Sequence, residues 1–145
     1  TDRLNDLPGS IAKSTTGEVL AVWSKESGNS RSDTGTSLKI GSLSNGTWTL
    51  GADLDTPDHY SGEARIVFDT DNEPWIFYTR ADVSAINQTS SINAMRTAFT
   101  NTNIYFVHRV GGVWSAPAAT AAGCPRWAGG RRGARTGAAR IWPSG

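Results

Sequence analysis

Three arginines, Arg65, Arg80 and Arg109, fall on three separate apolar runs in the second half of the chain. Clustered guanidinium groups are how a protein grips a carboxylate or a sulfate bidentately, so the three are candidates for holding an anionic ligand. Arginines on strands also pair with nearby acids, here Glu63 or Asp82, and Asp82 joins them as a partner or as a further ligand contact. Asp69-Thr70-Asp71-Asn72-Glu73 alternates carboxylates as an oxygen-ligated calcium loop does, which makes Asp69 and Asp71 the metal candidates. The glycine at the sixth position and the distal bidentate glutamate of such a loop are absent, and Asp and Asn are ordinary turn formers, so a turn is the expected role. Tyr78 with Glu63 would be the nucleophile pair of a retaining glycosidase, a role that needs them to converge, which spacing alone does not show. His59 and His108 have no nucleophile or co-ligand at useful spacing and read as solvated or hydrogen-bonded rings. There is no phosphate-cradling glycine loop and no Gly-x-Ser-x-Gly elbow. No cofactor is expected, and no residue is assigned to catalysis.

What must position these side chains is a two-fold internal repeat. Ala12 to Ser24 (AKSTTGEVLAVWS) aligns with Val67 to Thr79 (VFDTDNEPWIFYT), 55 residues on. Each copy reads as a strand, a tight polar turn, and a strongly apolar strand ending in a large aromatic, Trp23 or Tyr78. Leu38 to Leu43 then matches Ile104 to Arg109, and Gly46-Thr47-Trp48 matches Gly112-Val113-Trp114, both 66 residues on. Val19 to Trp23 and Trp75 to Tyr78 are near-continuous apolar runs, as expected of strands covered on both faces. Leu38 and Ile40 alternate with Lys39 and Gly41, as expected of a half-exposed strand. The connection from Asp82 to Thr102 is long, and Ser91 is placed to cap a short helix with Ile92, Met95 and Phe99 on one face.

Four strands per unit, with faces too apolar to stand alone, describe a propeller blade. Residues 8–118 resemble two consecutive blades of a sialidase-like, BNR-type bacterial β-propeller. The resemblance rests on Ile11-Ala12, Gly17 and Leu20 to Trp23, then Ile104 to Phe106, Arg109, Gly112, Trp114-Ser115 and Pro117. It implies an all-β fold of two four-stranded antiparallel blades, with the 82–102 connection and Lys25 to Thr36 at one ligand-binding rim. The Asp-box turns are degenerate: glycine and tryptophan remain at Gly46, Trp48, Gly112 and Trp114, but the aspartate is missing, as is the Arg-Ile-Pro motif. The resemblance therefore carries the fold further than an activity, since such blades serve hydrolases, lyases, lectins and adhesion modules.

Composition agrees with an extracellular β protein. Net charge is +1 and the chain holds 14 basic and 13 acidic residues, but residues 1–120 carry all thirteen acids while 121–145 carry five arginines and none. That final segment, rich in Ala, Gly and Arg, has no amphipathic period and reads as a disordered tail or a shifted reading frame. No basic patch elsewhere supports nucleic-acid binding. A single cysteine, Cys124, excludes an internal disulfide. No run approaches the roughly 18 apolar residues of a spanning helix, and no secretory leader opens the chain, as expected of a mature form or a fragment. The organisation is a lead-in at 1–7, blades at 8–58 and 59–120, and a tail at 121–145. The expected role is a secreted or cell-surface module recognising glycan or protein and self-associating through blade faces. The rival is a piece of a sialidase-like hydrolase or a polysaccharide lyase whose catalytic residues lie elsewhere.

Overall fold

A computed structural model of the chain describes residues 6–26, 35–55, 58–86 and 90–120. The tail at 121–145 with Cys124, residues 87–89 of the 82–102 connection and the middle of the Lys25 to Thr36 connection lie outside the described residues. The first sheet runs in the order β1 (Asp6–Lys13), β2 (Val19–Glu26), β3 (Thr36–Ser44) and β4 (Thr47–Leu50). The second runs β5 (His59–Phe68), β6 (Pro74–Asp82), β7 (Asn103–Val110) and β8 (Val113–Trp114), and a short β9 (Ala118–Ala119) also pairs with β7. Both are antiparallel, and β1 starts at Asp6, inside the expected lead-in. Helix α1 (Ile92–Thr100) sits between β6 and β7 with Ser91 as its N-cap, its side chain accepting from the Ala94 N–H. Among the described residues no helix is long and apolar enough to cross a membrane.

The two sheets are copies of one unit down to register. Ile11 faces Ala21 across β1 and β2, and Ile66 faces Ile76 across β5 and β6. Val22 faces Ile40 as Phe77 faces Phe106, and Leu43 faces Trp48 as Arg109 faces Trp114. Even the register shift recurs, between Leu7 and Ser10 in one sheet and Gly62 and Arg65 in the other. The first turn is braced by Ser14, whose Oγ accepts from the Glu18 N–H at 2.9 Å; Asp69 braces the second, one oxygen accepting from the Asp71 and Glu73 N–H groups. The hairpins into β4 and β8 turn on left-handed pairs, Asn45-Gly46 and Gly111-Gly112, matched at the same spacing.

Strand alternation decides what each sheet buries. Leu20, Val22, Leu38 and Ile40 project from one face of the first sheet and pack against Ala64, Ile66, Ile76, Tyr78 and Val107 of the second. Leu38, Ile76 and Val107 are fully enclosed, each stabilising the fold by roughly 1.5–3 kcal/mol against exposure. The sheets are clasped at both ends. At the turn end Thr15 donates from its N–H and its hydroxyl to Asn72 Oδ1, and Arg109 grips Glu18 with both terminal nitrogens, at 2.8 and 2.6 Å. At the other end the Thr36 hydroxyl donates to the Ser61 carbonyl and accepts from its N–H.

The apolar runs are covered on one face here, not on two. Ala21 and Trp23 on the outward side of β2 remain partly open, as do Trp75 and Phe77 on the outward side of β6. Each sheet has one neighbouring sheet within the described residues, and a strand buried on both faces needs two.

Candidate functional site

Among the described residues, the acid buried with charged company is Asp55, which bridges to Leu38 just after the first sheet and reaches across to the second. Its Oδ2 accepts from the Tyr78 hydroxyl at 3.0 Å and from the Ser61 hydroxyl at 3.1 Å. Arg80 Nε lies 3.2 Å from the same oxygen, an ion-pair distance without the alignment of a hydrogen bond. His59 Nδ1 is 3.6 Å from Oδ1. Arg80 in turn places Nη2 2.7 Å from His59 Nε2 and lays its guanidinium over the Tyr105 ring at 4.6 Å. Nη2 also lies 2.8 Å from His59 Nδ1, so the guanidinium packs across both ring nitrogens. Register explains the convergence, because Ser61 pairs with Arg80 and His59 with Asp82 across β5 and β6.

Chemically this cluster is a lock. Burial, then the adjacent Asp55 charge, then the hydrogen bond to Asp55 all push the Tyr78 phenol far above its ordinary range, so it stays protonated at any physiological pH. A phenol held in that state is a donor, not a nucleophile. Glu63, its imagined partner, is an exposed residue at the β5 bulge with a left-handed backbone, and the Tyr78 hydroxyl is spoken for by Asp55.

The three arginines are not brought together. Arg80 pairs with Asn103 at the start of β7, while Arg109 lies six residues further along that strand, roughly 20 Å away at the rise of a strand. Arg109 is committed to Glu18, whose hydrogen bonds hold its guanidinium still more firmly protonated, and it lies over the Trp114 ring. Arg65 is exposed and donates to the neighbouring Ala64 carbonyl. The metal candidates take the turn role. Asp69 uses one oxygen for the turn N–H groups and the other to accept from the Trp75 indole at 3.0 Å. The backbone bond from Glu73, with help from Trp75, lowers its pKa. Among the described residues no three His, Cys, Asp or Glu side chains gather to hold a metal.

Asp82 lies at the exposed end of β6, paired across the strands with His59 at the edge of the cluster. Hydrogen bonds from the Ser84 hydroxyl and N–H lower its pKa, so it presents a carboxylate. It lines a cleft of about 460 Å³ with Ala85, Ile86, Ala94, Thr97, Ala98 and Asn101, between the end of β6 and one side of α1. The opposite helix side holds Phe99 edge-on against Tyr60 at 5.3 Å, which seats α1 on the second sheet. The ends of the Lys25 to Thr36 connection face each other as Glu26 and Thr36, and Thr36 bonds Ser61, so both long connections leave from the same end of the pair of sheets.

Asp55 and Glu18 were not legible as site residues, for a shared reason. Each is an acid in a polar stretch whose partner lies in the other unit, and no local spacing encodes a cross-unit ion pair. No protein-family model matches the chain, and no curated protein sequence does.

Proposed function

We propose that this chain is a non-catalytic recognition module built from two sialidase-like propeller blades, which binds a glycan, or a protein, at the end where the two long connections emerge. The observation that carries the reading is the cleft beside α1. It sets an ionised acceptor, Asp82, and the polar groups of Thr97 and Asn101 among small apolar side chains. Alternating polar and apolar contacts of this kind suit a sugar ring, whose hydroxyls and C–H faces need both. A secreted or cell-surface setting accords with the Ser/Thr-rich, nearly charge-balanced composition.

The reading as part of a hydrolase or lyase draws on Tyr78, Arg80 and His59 lying together. Against it stand the protonated, enclosed phenol and an arginine already engaged by Asp55. A glycan array followed by calorimetric titration of the best hit tests the proposal. Asp82→Ala is expected to weaken binding about tenfold, the worth of one hydrogen bond to a charged acceptor. Filling the cleft with Thr97→Trp is expected to abolish it. Turnover of a fluorogenic sialoside by the wild-type chain would overturn the assignment.

A further inference from the structure

The internal repeat shows which faces of this molecule fit each other, and it leaves one of each kind open. Inside the chain, the face of the first sheet bearing Leu20, Val22, Leu38 and Ile40 packs on the face of the second bearing Ile66, Ile76, Tyr78 and Val107. Carried through the shared register, the counterparts of the first set are Trp75, Phe77, Ile104 and Phe106, on the outward face of the second sheet, where Phe106 is already buried beneath Trp75 and Phe77 and the other three keep open surface. The counterparts of the second set are Ile11, Ala21, Trp23 and Gly41, on the outward face of the first.

Both open faces are furnished for contact. On the first sheet Trp23 and Trp48 close over Gly41, where an added Cβ would touch both indoles at 3.4 Å, and Ile11 is 63% exposed. On the second, Trp75 stacks on His108 at 4.5 Å and packs against Phe106, with Val67 and Ile104 about half exposed beside them. Aromatic and aliphatic groups arrayed over a whole sheet face are what a partner sheet buries.

We infer that a second copy of this chain docks its second-sheet outward face onto the first-sheet outward face of its neighbour, repeating between molecules the packing already made within one. Such a contact is heterologous, so it propagates until the rotation closes a ring. Closed rings of four-stranded sheets take roughly 4 to 8 sheets, hence two to four copies of a two-sheet chain. The inference is independent of what the rim cleft binds.

Sedimentation velocity on the full chain at tens of micromolar tests it, with circular dichroism to confirm folding. The wild-type chain is expected at two to four times the single-chain mass. Trp48→Glu blocks one face and Ile104→Glu the other, and each is expected to sediment as a single chain. Mixed in equal amounts they retain one good face each, and the mixture is expected to form a pair with one copy of either variant. Should either variant lose its fold, Ile11→Glu and Val67→Glu alter the same two faces. A single-chain mass for the wild type would overturn the inference. So would a mixture that fails to pair, or sensitivity to substitution on one face alone.

Discussion

Trp23 and Tyr78 hold the same position in two copies of one unit, and their surroundings differ in a way that separates folding from association. Tyr78 is 2% exposed, covered by the first sheet, and its hydroxyl is enlisted by Asp55 in a buried ionic cluster. Trp23 faces outward, and its indole donates to Asp6 at 3.2 Å in an exposed contact. The same contrast holds for Leu38, fully buried, and its counterpart Ile104, 53% exposed. A repeated sequence thus supplies equivalent apolar surface at both places, and only one of them is put to use within the chain.

The comparison is broken most severely by removing Asp55. Asp55→Ala leaves Arg80 partly buried and without its ion-pair partner, and leaves two hydroxyl donors without their acceptor. Urea unfolding is expected to show a loss of about 3–5 kcal/mol. Asp6→Ala, which frees the equivalent aromatic on the open face, is expected to cost under about 0.5 kcal/mol. Equal losses would mean that the two faces are not energetically distinct.

A cleaner version uses apolar residues alone. Leu38→Ala opens a cavity between the sheets and is expected to cost about 2–5 kcal/mol. Ile104→Ala, measured in dilute solution where the chain is single, is expected to cost under about 0.5 kcal/mol. At concentrations where chains associate, its effect is expected to grow, because the same side chain then lies in a contact. A concentration-independent effect would leave Ile104 as ordinary surface.

How far the sequence foretold this arrangement varies with the range of the interaction. The strands, the turns and the cap at Ser91 are local, written in β-branched runs, Gly and Asn at left-handed positions, and a hydroxyl before an apolar period. The repeat offsets of 55 and 66 residues foretold a shared register, and the pairings of both sheets obey them. The fate of the arginines was not legible. Arg65, Arg80 and Arg109 look alike as charges on strands. Arg80 and Arg109 are taken by Asp55 and Glu18, acids of the other unit, whose approach depends on how the sheets stack. The apolar run Val19 to Trp23 predicts burial on both faces and receives it on one, because such a run records a capacity for contact and not its fulfilment in one chain.

The clasp at the turn end gives a smaller effect. Glu18→Gln loses a bidentate pair with Arg109 whose side chains remain about a fifth and a third exposed, so solvent screening holds the expected loss to about 1 kcal/mol. The difference from wild type is expected to shrink in molar salt, whereas that of Leu38→Ala is not. Salt independence would show that Glu18 acts through packing.

The smallest effect contrasts the two braced turns, Ser14 in the first unit and Asp69 in the second. Asp69 has its pKa lowered in the folded chain below the ordinary 3.8, by the Glu73 N–H first and the Trp75 indole next. A carboxylate of depressed pKa contributes stability that is fully present above the unfolded value and lost as pH falls through the folded one. The chain is therefore expected to lose stability on acidification below about pH 4. Asp69→Asn is expected to flatten that part of the profile while lowering the plateau slightly, since the amide oxygen still accepts but carries no charge. The Ser14 hydroxyl that braces the first turn does not itself titrate, so Ser14→Ala is expected to lower the melting temperature equally at pH 3 and pH 7. An acid limb that survives in Asp69→Asn would assign it to other carboxylates, with Asp82, whose pKa the Ser84 hydrogen bonds lower, the first to examine.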